Sequence, residues 1–275
     1  MDALVSNGLL RSLPLIRAFK ATDRAHFIPS CQSNSSLRGG HIGMVVVNPY
    51  QDSPQPIGYN VTISAPHMHA MMAELIYSTI APRISKITTG ETVVDDAAGG
   101  EGLSILDVGS GSGYLTAIMA HMLITTSSSS PSSPSAPVVR GRVYGVEHVP
   151  ELVSFSRGAI LKGTPTPISS AISIVCGDGR QEATYVDESG KGGGGVVLPR
   201  FFDAIHVGAA SHRSAPHALV SRLKPGGSLV IPIDDELHVI TRKPDGSGCT
   251  DRVESGVRFV PLTSLKRQLG DDEEE

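Results

Sequence analysis

Two hydroxyl and two imidazole side chains fall within one short stretch of the sequence, TISAPHMHA. Thr62 and Ser64 are two residues apart, so an extended backbone would put both hydroxyls on the same face. His67 and His69 could ligate zinc as a pair. No third ligand of obvious spacing is near, because Glu74 would fall on later helical turns, so we expect no metal here. A binding cleft is the better interpretation for His69, and backbone capping at the start of a helix for His67.

A second chemically suggestive stretch is the glycine-rich DVGSGSG that begins at Asp107. It follows an apolar run and precedes a helical pattern, and glycines at such a turn let the backbone approach a ligand at a helix N-terminus. The pattern is G-x-G-x-G rather than the G-x-G-x-x-G of dinucleotide-binding turns. Asp107 would repel a phosphate and attract an ammonium or a sulfonium, and S-adenosylmethionine carries both. A purely structural turn is the alternative, whereas a hydrolase elbow is excluded because Gly111 occupies the position at which G-x-S-x-G requires serine.

Two acidic residues stand where further strands are predicted to end. Glu147 lies 38 residues after Gly109, or 25 without the 13-residue Ser/Pro tract between them. That spacing is close to the roughly 20 residues expected for an acid that binds ribose hydroxyls. Asp178, within Cys-Gly-Asp-Gly, would end the next strand at the same sheet edge and could accept a hydrogen bond from an adenine amino group. The alternative for Glu147 is an ordinary surface charge at a strand end.

An alternation of strand and helix patterns would position these residues. Apolar runs predict strands, helical spacing predicts helices, and a Lys-Pro-Gly-Gly stop signal closes the last helix. The strands are predicted at 104–109, 142–147, 171–179, 201–210 and 228–233, and the helices at 114–123, 149–161 and 215–223. Such βαβ units imply an α/β fold with a doubly wound, mainly parallel sheet at 101–275. Residues 1–100 lack this rhythm and are predicted to form an N-terminal helical cap around the TISAPHMHA loop.

Composition excludes several classes of protein. The 275 residues, 40% of them hydrophobic, suffice for a large domain. A net charge of −4 does not indicate the basic surface that is typical of nucleic-acid-binding proteins. Three separated cysteines fit a reducing compartment rather than a disulfide framework. No apolar run approaches the roughly 18 residues of a membrane span. The N-terminal stretch reads better as an amphipathic helix than as a transit peptide, so we expect a cytoplasmic protein without nucleic-acid or membrane partners.

Segments of biased composition interrupt the pattern. The Ser/Pro tract at 125–137 and the Gly-rich tract at 189–195 cannot bury enough apolar surface to become ordered, so both are predicted to be disordered surface inserts. The tail at 271–275 is a solvated acidic run. The polar segment at 30–47 has no assignable role.

Eight stretches of the sequence match one known family in order along the chain. They are ATDR at 21, NPYQDSPQPIGYNVTISAPHMHA at 48, LDVGSGSGYLTA at 106, GVEHVPELV at 145, GDGR at 177, FDAIHVGAA at 202, LKPGGSLVIPI at 223 and RFVPLT at 258. TISAPHMHA and DAIHVGAA are the most specific, because methyltransferases in general share only the glycine turn and the Pro-Gly-Gly turn. On these residues the chain resembles the protein-L-isoaspartate (D-aspartate) O-methyltransferase family of the eukaryotic type.

The resemblance implies a Rossmann-like methyltransferase sheet, with S-adenosylmethionine as the cofactor. The activity implied is methyl transfer to the α-carboxylate of L-isoaspartyl and D-aspartyl residues in damaged proteins, which starts repair through a succinimide. The implied partners are isoaspartyl-containing proteins and peptides, and the chain is expected to act as a monomer. The alternatives are a different methyltransferase and a binding module with a degenerate site; the intact Asp107 and Glu147 argue against the second.

The resemblance also implies which residues form the site. Ser64 would take the catalytic position, with Thr62 beside it. The cofactor would contact Val61, Thr62, Ile63, Ser64, His69, Gly109, Ser110, Gly111, Ser112, Gly113, Glu147, His148, Asp178, Gly179 and Thr263, and Asp107 joins them on the charge argument. Because the nucleophile would be the substrate's own ionised carboxylate, neither a general base nor a metal is required. Two hydroxyls can hold that carboxylate, whereas Lys or Arg there would bind it more tightly and make it less reactive.

Three features depart from the family pattern. The two inserts and the 30–47 segment are not part of it, and the chain before Ala21 is short for the family. After Pro232 the sequence reads Ile-Asp-Asp-Glu, where a Val-Gly turn is usual. This last departure concerns a turn close to the expected exit of the substrate.

Overall fold

The computed structural model describes residues 1–29, 48–88, 102–125, 138–180, 198–212 and 216–269. The predicted inserts, the polar segment before residue 48 and the acidic tail lie outside these residues, apart from Thr125. Thr125 does not belong to an insert, because it ends a short strand and pairs with Val138. The predicted division near residue 100 also lies outside the described residues, so it stays a prediction.

The described residues form helices and strands throughout the chain. The helices are α1 (Asp2–Ser6), α2 (Leu13–Ala21), α3 (Pro66–Thr88), α4 (Tyr114–Met122), α5 (Pro150–Gly163), α6 (Thr166–Ser169), α7 (Pro216–Val220) and α8 (Leu265–Leu269), with a 3-10 turn at Arg24–Phe27. The strands are β1 (Gln55–Gly58), β2 (Val61–Ile63), β3 (Leu103–Val108), β4 (Ile124–Thr125), β5 (Val138–Val139), β6 (Gly141–Glu147), β7 (Ile172–Cys176), β8 (Phe202–Val207), β9 (Leu223–Ile233), β10 (Glu236–Arg242) and β11 (Cys249–Gly256).

Seven of these strands form the main sheet in the order β11-β10-β9-β8-β3-β6-β7. Strands β9, β8, β3, β6 and β7 run parallel, whereas β10 and β11 are antiparallel to their neighbours. Helices connect the parallel strands, with α4 between β3 and β6, α5 between β6 and β7, and α7 between β8 and β9. The predicted doubly wound, mainly parallel sheet is therefore confirmed.

The strand order reverses at β3. The chain moves from β3 to β6 and β7 on one side, then returns to β8 on the other side. The carboxyl ends of β3 and β8 therefore form the switch point at which sheets of this kind bind ligands. Asp107 and His206 are opposite each other in this strand pair.

The helical N-terminal region shares one hydrophobic core with the sheet. Leu15 of α2 and Ile76 of α3 belong to the same buried cluster as Leu103 and Ile105 of β3. The buried Glu74 carboxylate on α3 also accepts hydrogen bonds from the backbone N–H groups just before α2, at 2.6 and 2.7 Å. Apolar packing and this capping contact together hold the N-terminal helices against α3, which carries part of the site.

The predicted helix at 215–223 is wrong at its end. Helix α7 stops at Val220, and Leu223 already pairs with Phe202 as the first residue of β9. The Lys-Pro-Gly-Gly motif lies inside β9 and does not stop a helix: the register with β8 shifts there, and Gly226 has a φ of +74°. Leu223 is fully buried in the apolar cluster on one face of the sheet, which favours the strand over a helical ending.

The Ile-Asp-Asp-Glu departure forms a tight turn. Asp234 and Asp235 connect β9 to β10, and Asp234 has a φ of +52°, a conformation that aspartate tolerates better than most residues. The backbone N–H of Asp234 donates to the carbonyl of Ser211, which ties the turn to the loop after β8. This part of the chain therefore keeps a defined geometry without the usual glycine.

Candidate active site

A cleft opens at the carboxyl ends of β3, β6, β7 and β8. Its empty space is about 920 Å³ when the open solvent at its mouth is included. All but one of the expected site residues line it: Val61, Thr62, Ile63, Ser64, His69, Asp107, Gly109, Ser110, Gly111, Ser112, Glu147, His148, Asp178, Gly179 and Thr263.

Gly113 is the exception, because it lies behind the cleft wall. It caps α4 with a φ of +82°. A Cβ atom at this position would come within 3.1 Å of Ile160 and 3.2 Å of Ser156, both on α5. Gly113 thus allows the turn to pack closely against α5.

The backbone donors of the glycine turn are already used within the protein. The N–H groups of Gly109 and Ser110 donate to the carbonyl of Val146 at 2.9 and 3.1 Å. The N–H of Gly111 donates to Oε2 of Glu147 at 2.9 Å. These three donors are not directed at a ligand phosphate, which supports the expectation of a phosphate-free ligand.

Glu147 is a rigidly held carboxylate at the end of β6. It is 4% exposed, and its second oxygen accepts from the N–H of Val149 at 3.0 Å. Each carboxylate oxygen has room for a further hydrogen bond. The orientation of Glu147 at the cleft wall is therefore fixed before any ligand binds.

Asp178 follows β7 and is paired with Arg180. The guanidinium donates to its two oxygens, with the shortest contact at 2.6 Å. These hydrogen bonds lower the pKa of the Asp178 carboxyl, which stays ionised at neutral pH. An adenine amino group would share this carboxylate with Arg180. The next residue must be glycine, because a Cβ on Gly179 would lie 2.3 Å from a methyl group of Val108.

Asp107 has two protein partners. Nδ1 of His206 lies 2.7 Å from Oδ1, and the hydroxyl of Thr116 donates to Oδ2. Asp107 is 1% exposed and His206 is 4% exposed. The sequence analysis anticipated neither partner.

A buried arginine supports the loop that carries Ser64. Arg24 donates from Nη2 to the carbonyl of Ser64 at 2.7 Å, and its Nη1 lies 3.2 Å from Nδ1 of His69. Its guanidinium carbon is 5.3 Å from the ring centroid of Tyr114. Burial lowers the pKa of Arg24 to about 10, so it remains a cation at neutral pH.

His69 is neutral in the folded protein. Burial, followed by the positive charge of Arg24, holds the pKa of His69 well below its ordinary value of 6.5. Because a guanidinium can only donate, Nδ1 of His69 is the acceptor and Nε2 carries the proton. This assignment defines which ring atom of His69 can donate to a ligand.

The depressed pKa of His69 predicts a loss of stability in mild acid. Between pH 6.5 and the lower folded-state value, the unfolded chain binds a proton that the folded chain does not. The free energy of unfolding should therefore fall as the pH drops below about 6.5, by up to about 1.4 kcal/mol per pH unit from this residue. Urea unfolding of the wild type and His69→Gln at several pH values between 7.5 and 5 would measure it. His121, whose pKa burial lowers to about 4, contributes equally to both proteins and cancels. Identical slopes in the two proteins would contradict the assignment.

The two hydroxyls of the TISAPHMHA loop remain available. Thr62 is exposed on β2 and Ser64 is half-buried just after it. In the part of the chain that the structure describes, neither hydroxyl makes a hydrogen bond. Asp52 rather than His67 caps the start of α3: its carboxylate accepts from the backbone N–H of His67 at 2.9 Å and contacts Nδ1 of His67 at 2.8 Å, so the capping role expected for His67 is wrong.

Helix α8 closes one side of the cleft mouth. The side chain of Gln268 donates to the carbonyl of Tyr59 at 3.3 Å and contacts Nε2 of His148 at 3.2 Å. The side chain of Asn60 donates to the carbonyl of Gln268 at 2.8 Å. The tip of the β1–β2 hairpin, α8 and the end of β6 are therefore joined across the mouth.

Sequence reasoning missed Arg24, His206 and Gln268 as site residues. Arg24 and His206 lie inside the motifs ATDR and DAIHVGAA. The available signal for His206 was a polar residue near the end of an otherwise apolar strand, since every residue of β8 is buried. Gln268 gave no local signal, because its side-chain contacts are with residues more than 100 positions away.

The structure offers no metal centre within the described ranges, where no three His, Cys, Asp or Glu side chains are grouped to hold an ion. Among the same residues, no helix has both the length and the apolar character to cross a membrane.

A doubly wound sheet, a glycine turn at its switch point whose Gly109, Ser110 and Gly111 N–H groups are used within the protein, and acidic residues at the ends of β6 and β7 are typical of one class: the Rossmann-like methyltransferases that use S-adenosylmethionine. Comparison with known proteins makes this more specific. A sequence model of the protein-L-isoaspartate(D-aspartate) O-methyltransferase family matches residues 1–267, and the chain belongs to that family.

Individual relatives agree over nearly the whole length. The chain is 36% identical to protein-L-isoaspartate O-methyltransferase 1 of Arabidopsis thaliana, over 99% of this chain and 93% of that protein. It is also 36% identical to the Triticum aestivum protein-L-isoaspartate O-methyltransferase, over 98% and 93%. Among solved structures, a putative protein-L-isoaspartate O-methyltransferase from Plasmodium falciparum in complex with S-adenosyl-L-homocysteine is similar, with a TM-score of 0.61, 28% identity and 95% of each chain covered.

Proposed function

We propose that the chain transfers the methyl group of S-adenosylmethionine to the α-carboxylate of L-isoaspartyl and D-aspartyl residues in damaged proteins, which starts their repair through a succinimide. One observation carries the proposal. The available hydroxyls of Thr62 and Ser64 line the same cleft as Glu147 and Asp178, the two acidic residues proposed to bind the ribose and the adenine of the cofactor. Membership of the family supports the same activity.

The chemistry of the cleft fits S-adenosylmethionine. Ser110 Oγ and His206 Nε2 are buried in residues that line it and lack hydrogen-bond partners among the described residues, as expected of groups that meet a ligand. Glu147 would accept from the ribose hydroxyls, and Asp178 from the adenine amino group. When bound, the cofactor supplies a methyl group that its sulfonium centre makes electrophilic.

The loop residues would position the substrate carboxylate. Thr62 and Ser64 would donate hydrogen bonds to it and leave most of its charge in place, so it stays nucleophilic. Arg24 does not compete for this carboxylate, because its terminal nitrogens contact the Ser64 carbonyl and His69. Its function in this proposal is to hold the loop backbone. Alignment of the reacting atoms and exclusion of water then provide the rate enhancement.

Methyl transfer to matched peptides tests the proposal. Two peptides that differ only in an L-isoaspartyl or an L-aspartyl residue are incubated with the full chain and labelled S-adenosylmethionine. We expect base-labile label in the isoaspartyl peptide and none in the aspartyl peptide. Equal labelling of both peptides would contradict the substrate assignment. A small-molecule methyltransferase or a binding module would bind S-adenosylhomocysteine and label neither peptide.

The proposal includes the remaining expectations from the sequence. The chain would act as a cytoplasmic monomer on isoaspartyl-containing proteins and peptides, without nucleic-acid or membrane partners. Residues 1–100 would form the cap and the substrate loop, and residues 101–275 the methyltransferase domain. Sedimentation at micromolar concentration would test the monomer.

A further inference from the structure

One buried histidine in the cleft has no assigned contact in the proposed reaction. His206 lines the cleft from β8 and is 4% exposed. Its Nδ1 contacts Asp107, and its Nε2 is buried and has no hydrogen-bond partner among the residues described. A buried polar atom without a partner is uncommon in folded proteins, and where such an atom lines a cleft a bound ligand can supply the missing partner.

The partners of His206 fix which ring atom carries the proton. An ionised carboxylate can only accept, so Nδ1 of His206 donates to Asp107. The Thr116 hydroxyl holds the other carboxylate oxygen, which prevents Asp107 from turning away. In neutral His206, Nε2 therefore presents a lone pair. His69 has the opposite tautomer, because Arg24 donates to its Nδ1. The cleft thus contains one imidazole acceptor and one imidazole donor.

We infer that His206 accepts a hydrogen bond from the α-ammonium group of S-adenosylmethionine, while His69 donates to the α-carboxylate of the same amino-acid moiety. The inference rests on the proposed function and adds a residue to it. Asp107 becomes a positioning residue that sets the His206 tautomer, and its negative charge favours a cation nearby. This replaces the expected direct contact between Asp107 and the ammonium.

Position on the sheet selects the ammonium among the donors of the cofactor. Glu147 ends β6 and Asp178 follows β7, both on one side of β3, and they are assigned to ribose and adenine. His206 lies on β8, on the other side of β3. The sulfonium has no N–H or O–H to offer to a lone pair. The α-ammonium is the donor left for His206.

Binding of matched ligands to His206→Asn tests the inference. The asparagine amide can replace Nδ1 as donor to Asp107 but has no atom in the place of Nε2. Calorimetry with S-adenosylhomocysteine, its des-amino analogue and 5′-methylthioadenosine separates the parts of the ligand. We expect S-adenosylhomocysteine to bind about 10- to 150-fold more weakly, the loss of one hydrogen bond to a charged group, with the other two ligands unaffected. His121→Asn is the matched control, since Nε2 of His121 is also buried without a partner but His121 does not line the cleft.

Asp107→Asn provides a second, independent variant. Its amide can donate to Nδ1 of His206, which moves the proton to Nε2 and converts the acceptor into a donor. The same selective loss of S-adenosylhomocysteine binding should follow, although residue 107 does not touch the ammonium.

Nitrogen NMR of the imidazole rings in the wild type should show opposite tautomers for His206 and His69; the same tautomer in both would overturn the inference.

The possible outcomes are distinct. Equal weakening of S-adenosylhomocysteine and its des-amino analogue would assign His206 a structural role and overturn the inference. If His206→Asn weakened the binding of S-adenosylmethionine but not of S-adenosylhomocysteine, the contact would be with the sulfonium, and this too would overturn the inference. Unchanged binding of S-adenosylhomocysteine by His206→Asn would overturn the inference and leave the proposed function intact. A wild type that binds no S-adenosylhomocysteine would instead reject the proposed function, and the inference with it.

Discussion

Glu147→Ala is expected to weaken S-adenosylhomocysteine binding at least tenfold. The variant removes the carboxylate proposed to accept from the ribose hydroxyls, and a hydrogen bond to a charged group contributes about 1.5–3 kcal/mol. Loss of 3 kcal/mol corresponds to about 150-fold in the dissociation constant. Calorimetry at a temperature where both proteins are folded measures it, with NAD as a ligand that should not bind to either.

The contacts of Glu147 suggest how to separate binding from folding. Alanine also deprives Gly111 and Val149 of their acceptor, so the melting temperature should fall. Glu147→Gln keeps one acceptor oxygen, so its S-adenosylhomocysteine affinity and its melting temperature should both fall less than those of Glu147→Ala. Glu151→Gln, at an exposed carboxylate in the first turn of α5, is the matched control and should change neither. Wild-type affinity in Glu147→Ala would show that Glu147 only shapes the glycine turn.

Ser64→Ala should reduce turnover on an isoaspartyl peptide by about five- to 150-fold at saturating cofactor. One hydrogen bond to the substrate carboxylate is lost, at roughly 1–3 kcal/mol, and cofactor affinity should change little. A nucleophilic serine would behave differently, because its removal would cost several further orders of magnitude. The conservative Ser78→Ala, at an exposed serine on α3, should retain full activity.

Two further substitutions distinguish positioning from attack. Ser64→Thr should keep partial activity if its oxygen stays in place. Ser64→Cys should not restore activity, because sulfur is a poor hydrogen-bond donor although a good nucleophile. An active cysteine variant that forms a trappable covalent adduct would contradict the positioning role.

The parallel part of the sheet was predictable because its local and tertiary preferences agree. Strand β3 was expected at 104–109 and occurs at Leu103–Val108, and β8 lies within the expected 201–210. Parallel strands are covered on both faces, so their sequences are continuous apolar runs that are visible without knowledge of their neighbours. The glycine turn, Glu147 and Asp178 follow such strands directly, which is why their common location could be predicted.

Features that depend on distant contacts were not predictable in the same way. The hairpin of β10 and β11 was missed, since the outer strand β11 has no fully buried residue and no apolar run. Lys-Pro-Gly-Gly resembles a helix stop locally, but pairing of Leu223 with β8 makes it part of a strand. The contact between Asp107 and His206 joins residues 99 positions apart, and only the alignment of β3 with β8 brings them together.

The bridge between Gln268 and the β1–β2 hairpin has a consequence for synthesis of the protein. Asn60 and Gln268 are separated by 208 positions, so one side of the cleft mouth emerges early from the ribosome and the other side late. A nascent chain that has produced the sheet through β9 still lacks the wall formed by residues 259–268. Cofactor retention therefore requires synthesis through Gln268, and chains interrupted before this residue should fail to hold the ligand even when their sheet has formed.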